Sequence, residues 1–288
     1  MMTSGPVAQS AVLVTGASSG IGRATAILLN AHGYRVFAGV RKERDGEALR
    51  EEASGSLTPL SLDVTDEDSI TQAVARVKED VGSEFFGLVN NAGVSLNGPL
   101  ELLSVSDMRK LMEVNVLGLL AVTRAFIPLL RGARGRLVNV SSGHGLLALP
   151  DKSVYAASKF AVQAVSDSLR LELRPFGVSV SNLVVGKVDT AVLGKILTER
   201  EKLMQAAPSE VLELYSPLFE FFDREVKNLP GISPEEVALV VSRALGARRP
   251  RAQYVVGPGA RKMKNLARLP LRLRDALFYK ALYGRRGS

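Results

Sequence analysis

Tyr155 and Lys159 stand four residues apart in "YAASK", inside a stretch, 153–174, whose pattern predicts a helix. Residues at that spacing share one helix face. A phenol with pKa near ~10 is a poor base at neutral pH, whereas an ammonium beside it favours the phenolate. The pair could therefore exchange a proton with a carbonyl or alcohol oxygen. Such spacing is common on helices, so its meaning depends on the elements around it.

Other chemistries are excluded by composition. The 288 residues contain no cysteine and two histidines, His32 and His144. Disulfides, thiol nucleophiles, cysteine-bound zinc and multi-histidine metal clusters are thereby removed, and no metal is expected. His32, near the end of the first predicted helix, is expected to interact with that helix's C-terminal carbonyls. His144, in a turn, is expected to be a surface or capping residue. An apolar content of 46% is ordinary for a globular chain. No basic start with a following apolar run and no span of roughly 18 apolar residues is present, so a soluble, cytoplasmic protein is expected.

Short β-rich runs alternate with helical patterns: "AVLVT" then 21–31, "RVFAGV" then 44–53, "LTPLSL" then 67–81, "FFGLVN" then 106–130, "GRLVNVS" then 153–174, "VSVSNLV", and 234–246 before "QYVV". This predicts an α/β fold of Rossmann type, a doubly wound parallel sheet with helices on both faces. One domain is placed over 1–257. Within it 191–232 is too long for a structureless connection and is expected to form a helical substrate lid. Residues 258–288 form a basic amphipathic extension.

The string "TGASSGIG" places Gly16, Gly20 and Gly22 where the first strand meets the first helix. Glycine permits positive φ and close backbone approach, and a helix N-terminus attracts phosphate. A plain tight turn would carry the same glycines.

The string is similar to the cofactor loop of short-chain dehydrogenases/reductases, and further motifs follow in that family's order: "LDV", "NNAG", "NVLG", "NVSSGHG" and "YAASK". The resemblance spans about 15–257. It implies a nicotinamide dinucleotide held by Gly16, Ser18, Ser19, Gly20, Ile21 and Gly22, with Gly20 and Gly22 letting it meet the helix start. Asp63 and Val64 would contact the adenine, and Asn91, Ala92 and Gly93, in the turn after the fourth strand, would also bind the cofactor. Tyr155 becomes the general acid/base, and Lys159 lowers its pKa and binds the nicotinamide ribose. Ser142 would bond the substrate oxygen, because "SGHG" fits the family's pattern better than a start at Ser141, which is read as structural. Asn115 would hold a water passing protons to Lys159, although an asparagine in a buried helix can also just satisfy backbone groups. Val185 stands where the family has proline, which implies a less rigid loop. Val188 and Thr190 still match cofactor-contacting positions.

After the second strand comes "RK". Arg41 and Lys42 could pair with a 2′-phosphate, and no carboxylate stands at the strand end to repel it, which favours NADP over NAD. A solvated basic pair opening a helix is the plainer reading, since Glu43 and Asp45 follow.

The lid carries "LYSPLFEFF", with Tyr215, Phe219, Phe221 and Phe222. An apolar lid suggests a lipophilic secondary alcohol or its ketone; equally, the aromatics could anchor the lid to the domain. The lid and "YRVFAGVRK" are similar to the hydroxysteroid and retinol dehydrogenase branch of the family. From Arg261 to Ser288, nine basic residues meet one acid, so this segment carries the whole net charge of +8. With Leu273, Leu277 and Ala281 at fourfold spacing it could lie peripherally on an anionic membrane through 261–286, pack on a neighbouring subunit, or simply be solvated. No nucleic-acid recognition motif accompanies the charge. The resemblance also implies a homodimer or homotetramer. A rival class, a catalytically silent nucleotide-sensing or interaction protein, would be marked by a missing catalytic residue, and all four are present.

Overall fold

The computed structural model describes residues 10–189, 191–228 and 230–284. Seven strands form one all-parallel sheet: β1 Ala11–Val14, β2 Arg35–Val40, β3 Leu57–Ser61, β4 Phe85–Asn90, β5 Arg136–Ser142, β6 Ser179–Val185 and β7 Gln253–Val256. Their order across the sheet is β3-β2-β1-β4-β5-β6-β7. The order in which strands are added reverses between β1 and β4, the switch point at which such sheets bind ligands.

Both faces are covered, as near-continuous apolar strands require. Val12, Val14, Val89 and Val138 pack with α1 (Gly20–Ala31), α2 (Glu43–Glu52) and α9 (Pro234–Gly246). The alternating residues Ala11, Leu13, Leu88 and Leu137 pack on the other face with α3 (Glu67–Val81) and α5 (Leu119–Gly132). The period of two in the strands thus builds two separate cores. His32 caps α1 with its backbone N–H, bonded to the Leu28 and Leu29 carbonyls, but its ring meets Ser242 Oγ on α9 at 3.0 Å instead of a carbonyl.

The stretch read as one helix over 106–130 is helical throughout but changes winding. Helix α4 (Val105–Met112) passes through a π-helical stretch, Glu113–Gly118, into α5. By length and composition 105–132 could cross a membrane; here Leu111, Val122, Phe126 and Leu130 are buried in the protein. A buried polar chain crosses the sheet centre: Asn90 Nδ2 donates to Thr123 Oγ1 (2.8 Å) and Asn139 Oδ1 (2.9 Å), and Asn139 Nδ2 donates to Ser166 Oγ (2.9 Å). Ser166 lies on α6 (Ser153–Glu172), the helix that also carries Tyr155 and Lys159.

The segment expected to be a lid forms two helices, α7 (Ala191–Ala206) and α8 (Ser209–Asn228). Beyond β7 come α10 (Pro258–Leu266) and α11 (Leu271–Tyr283). Helix α10 is not a loose appendage. A Cβ on Gly143 would lie 2.6 Å from Met263 Sδ, so α10 sits directly on the turn after β5.

Candidate active site

The turn from β1 into α1 presents the features an anion needs. Ser19 is the N-cap residue, its side chain makes no capping bond, and the first turn of α1 holds no acid. Its backbone donors and positive dipole end are thus left for a ligand. Gly16 and Gly20 have φ of +65° and +55°, which glycine adopts without strain. Ser18 and Ile21 flank them half-buried, and Ser19 is exposed.

Two of the three glycines make room for the protein itself. A Cβ on Gly16 would stand 2.8 Å from Ala92 Cα; one on Gly22 would overlap the Gly16 carbonyl oxygen and lie 2.5 Å from Asn91 Nδ2. The missing side chain of Gly22 admits the preceding turn, so that the "NNAG" segment can lock it. Asn91 Nδ2 donates to the Thr15 and Gly16 carbonyls at 3.0 and 3.2 Å. Thr15 Oγ1 accepts from the backbone N–H groups of Asn91 and Ala92, both at 3.0 Å. Thr15 was not singled out in the sequence, where it reads as the last residue of a strand run.

Beside this turn a cleft of about 400 Å³ is lined by Arg41, Asp63, Thr65, Lys110, Glu113 and Val114. Burial alone would raise the Asp63 pKa, but the Thr65 N–H and hydroxyl bonds, with Arg41 nearby, hold its carboxyl below the usual range. Val64 is buried against Gly118, whose missing side chain lets the two meet. Lys42 is the exposed N-cap of α2 and does not line this cleft. Val188 is half-buried and bridges to Ile232. Thr190 lies outside the described residues. At the start of the loop after β6, Val185 still takes part in the sheet. Val185 pairs with both Ser142 and Val256, and Gly186 N–H donates to the Val256 carbonyl at 2.9 Å. A proline could not have continued the ladder in this way.

At the C-terminal ends of β4 and β5, Asn115, Ser142, Tyr155 and Lys159 come together. Ser142 Oγ accepts from His144 N–H at 3.2 Å, and its hydroxyl is near enough to the Tyr155 phenol to influence its pKa. Ser141 points the other way, donating to the Lys159 carbonyl at 3.3 Å, in keeping with a structural part. Lys159 Nζ lies 5.9 Å from the Tyr155 ring centroid and donates to the Val140 carbonyl at 3.2 Å. Burial brings the Lys159 ammonium down to about 8. Burial also pushes the Tyr155 phenol up, with the Ser142 hydroxyl only partly opposing it. Desolvation is the larger of these two influences on the phenol.

Both polar atoms of the Asn115 amide are engaged. Its Oδ1 accepts from Val94 N–H at 2.8 Å, and its Nδ2 donates to the Val94 carbonyl (2.9 Å) and Ser158 Oγ (3.1 Å). A Cβ on Gly93 would lie 3.2 Å from Asn115 Oδ1 and 3.7 Å from Lys159 Nζ. Gly93 thus leaves open a small space that both atoms border.

His144 departs from its expected place at the surface. Its imidazole stacks edge-on against Tyr155, and burial, aided by the Lys152 charge, lowers it to about 3. A lone histidine in a turn gives no sign of this; the burial arises because the turn folds under the start of α6. The lid aromatics are also partly accounted for by anchoring: Tyr215 OH bonds Glu101 at 2.9 Å, and Phe219 and Phe222 are buried.

Comparison with known proteins agrees with this geometry. Residues 10–201 match the short chain dehydrogenase family. Retinol dehydrogenase 7 of Mus musculus is 37% identical over 276 residues, covering 93% of this chain and 87% of the relative. Human retinol dehydrogenase 16 is 38% identical with the same coverage, and human short-chain dehydrogenase/reductase family 9C member 7 is 36% identical over 96% of this chain and 91% of its own. Among solved structures, a short-chain dehydrogenase from Streptomyces avermitilis superposes with a TM-score of 0.78 at 29% identity, covering 98% of this chain and all of the other. A sheet with this strand order, an open helix terminus at its switch point and a serine, tyrosine and lysine gathered at its edge thus has its explanation in descent: the chain belongs to the short-chain dehydrogenase family, whose members are oxidoreductases that use NAD or NADP.

Proposed function

We propose that the protein is an NADP-dependent oxidoreductase that interconverts a lipophilic secondary alcohol and its ketone, with steroid-, retinoid- or long-chain-like compounds as the substrate class. The observation that carries the reading is the convergence of Ser142, Tyr155 and Lys159 beside an uncapped helix terminus. The names of the retinol dehydrogenase relatives support the lipophilic class.

The residues fit a dinucleotide. The bare N-terminus of α1 suits its pyrophosphate, and the cleft that includes Arg41 and Asp63 suits the adenosine end. Arg41 supports the 2′-phosphate, and Lys42, turned out at the α2 N-cap, is the weaker contributor. Lys159 would hold the nicotinamide ribose. When bound, the nicotinamide gives or takes the hydride.

The protein's part is the proton and the oxygen. Tyr155, whose phenol burial pushes up, donates its proton to the carbonyl oxygen during reduction, while Ser142 holds the same oxygen by a hydrogen bond. In the reverse direction Tyr155 receives the proton and the Lys159 ammonium stabilises the phenolate. Asn115 fixes the Val94 backbone, and its remaining Oδ1 lone pair faces the space beside Gly93 in which a water would reach Lys159.

We assign 191–232 as the substrate lid and 258–288 as the basic extension of a single catalytic domain. Helix α11 supports peripheral attachment to an anionic membrane on the cytoplasmic side. Arg274, Phe278 and Leu282 are its half-buried face, whereas Leu271, Leu273, Leu277 and Tyr279 are exposed among Arg272 and Lys280. A homodimer or homotetramer is the expected assembly.

A turnover screen of steroids, retinoids and aliphatic and aromatic ketones tests the activity. Tyr155→Phe is expected to abolish turnover while NADPH still binds; retained turnover rejects the mechanism. Arg41→Ala should raise KM for NADPH far more than for NADH, and equal effects reject the NADP assignment. Co-sedimentation with anionic vesicles, lost in an Arg272→Glu, Lys280→Glu variant, tests the membrane contact.

A further inference from the structure

Lys152 is a cation in an awkward place. It occupies the N-cap position of α6, where the helix dipole disfavours positive charge, and its side chain is only 12% exposed. A buried charge persists only with partners. Its own are Asp151, whose carboxylate accepts from Nζ at 3.2 Å, and the ring of Phe222 on α8, whose centroid lies 4.1 Å from Nζ. A second cation meets the same ring: Arg200 Cζ on α7 is 4.4 Å from the Phe222 centroid. Arg200 is itself buried, donating to the Phe219 carbonyl at 2.9 Å and to Asp223. One aromatic ring of the lid is thus held by a cation from the lid's other helix and by a cation from the catalytic wall.

The wall side is rigidly tied. Asp151 adopts φ of +70°, a conformation unusual for a residue with a side chain, and its carbonyl accepts from Gly98 N–H at 3.0 Å. The Lys152 carbonyl accepts from Ala156 N–H at 2.7 Å, which starts the helix that presents Tyr155 three residues on. The Lys152 charge is also felt by His144, which stacks on Tyr155. Desolvated cation–π contacts are the strong ones, and backbone strain tends to persist where function over-determines it.

We propose that Lys152 is a positioning residue: through the Phe222 ring it fixes helices α7 and α8 against the wall that carries His144 and Tyr155, and so sets the shape of the substrate site. The inference rests on the oxidoreductase reading only for its kinetic consequence; the attachment of the lid can be measured without turnover.

The test compares Lys152→Met, Lys152→Arg, Phe222→Leu and the Lys152→Met/Phe222→Leu double variant in the full chain, each first checked for a cooperative thermal transition. Amide hydrogen exchange over 196–224 is expected to quicken about tenfold or more in Lys152→Met, with 11–31 unchanged, and to return to wild-type rates in Lys152→Arg. With a 3-ketosteroid as probe substrate and NADPH as reductant, KM for the ketone is expected to rise about tenfold while kcat and the NADPH dissociation constant stay within about twofold. Phe222→Leu should reproduce these effects, and the double variant should add nothing to either single change. Unchanged exchange over 196–224 in Lys152→Met, or effects of the two substitutions that multiply in the double variant, would overturn the proposal. If the wild-type protein turns over no alcohol or ketone, the oxidoreductase reading fails and the exchange data alone decide the role of Lys152.

Discussion

The imidazole of His144 stands edge-on to the phenol of Tyr155, ring centroids 5.7 Å apart and planes at 72°. Because burial lowers its pKa from 6.5 to about 3, the imidazole is neutral wherever the enzyme works. The unfolded chain binds a proton there between about pH 3 and 6.5 that the folded chain refuses, so stability is full above pH 6.5 and lost as pH falls toward 3. His144→Phe, which keeps the stacked ring, is expected to remove on the order of 2–3 kcal/mol of this acid sensitivity. Urea melts at pH 4.5 and 7.5 measure it; an unchanged difference between the two refutes the prediction. The pH–rate profile should keep its shape, since His144 carries no proton in the reaction.

Lys159 sets function against stability. Its depressed pKa means the folded protein without cofactor releases a proton between about pH 8 and 10.5 that the unfolded chain retains, so this group favours folding more as pH rises through that window. Below it the buried ammonium is a cost. Lys159→Met is expected to melt a few degrees higher than wild type at pH 7 without cofactor, by about 1–2 kcal/mol, while binding NADPH at least about a hundredfold more weakly. A lower melting temperature with intact folding would contradict the first half, and unimpaired NADPH binding the second.

Gly93 guards a space, not a conformation. Gly93→Ala would place a methyl against Asn115 Oδ1 and Lys159 Nζ at distances the neighbours can absorb by small shifts. The expected result is a fall of about tenfold in kcat with a loss of stability below about 1.5 kcal/mol. Wild-type kcat would mean that the space carries no proton traffic.

Thr15→Val tests the lock between the β1 turn and the "NNAG" segment. Two backbone N–H groups, of Asn91 and Ala92, lose their acceptor. About 2–4 kcal/mol of stability should disappear, with a weakened NADPH affinity as the turn loosens. Thr15→Ser keeps the oxygen and is expected to restore both. An equal loss in Thr15→Ser, which keeps the oxygen, would refute the hydroxyl lock.

The strands were legible because the central ones are buried on both faces, and every predicted strand run overlaps an observed strand. The winding change at 113–118 was not, since the apolar period of 106–130 runs through it without a break. Tyr155 and Lys159 could be read from a single helix, and Ser142 from its neighbours. Thr15 could not: its partners lie 76 and 77 residues away, and a threonine closing a strand is unremarkable until the second loop is folded over it. The same holds for Phe222, whose aromatic character invited a substrate but whose partner Lys152 comes from a distant segment. Local pattern reports local burial; contacts made across the sheet edge are decided by topology.

The amide pair Asn90 and Asn139, matched opposite each other on β4 and β5, acts as a key against slippage. A shift of β5 by one residue would turn Asn139 to the other face of the sheet, among valines, and leave both amides without their partner at about 1–3 kcal/mol each. Apolar strands alone would tolerate such a shift far better, since leucine and valine pack in either lane. The two asparagines therefore keep the ends of neighbouring strands level, and with them the heights at which Asn91 and Ser142 leave the sheet.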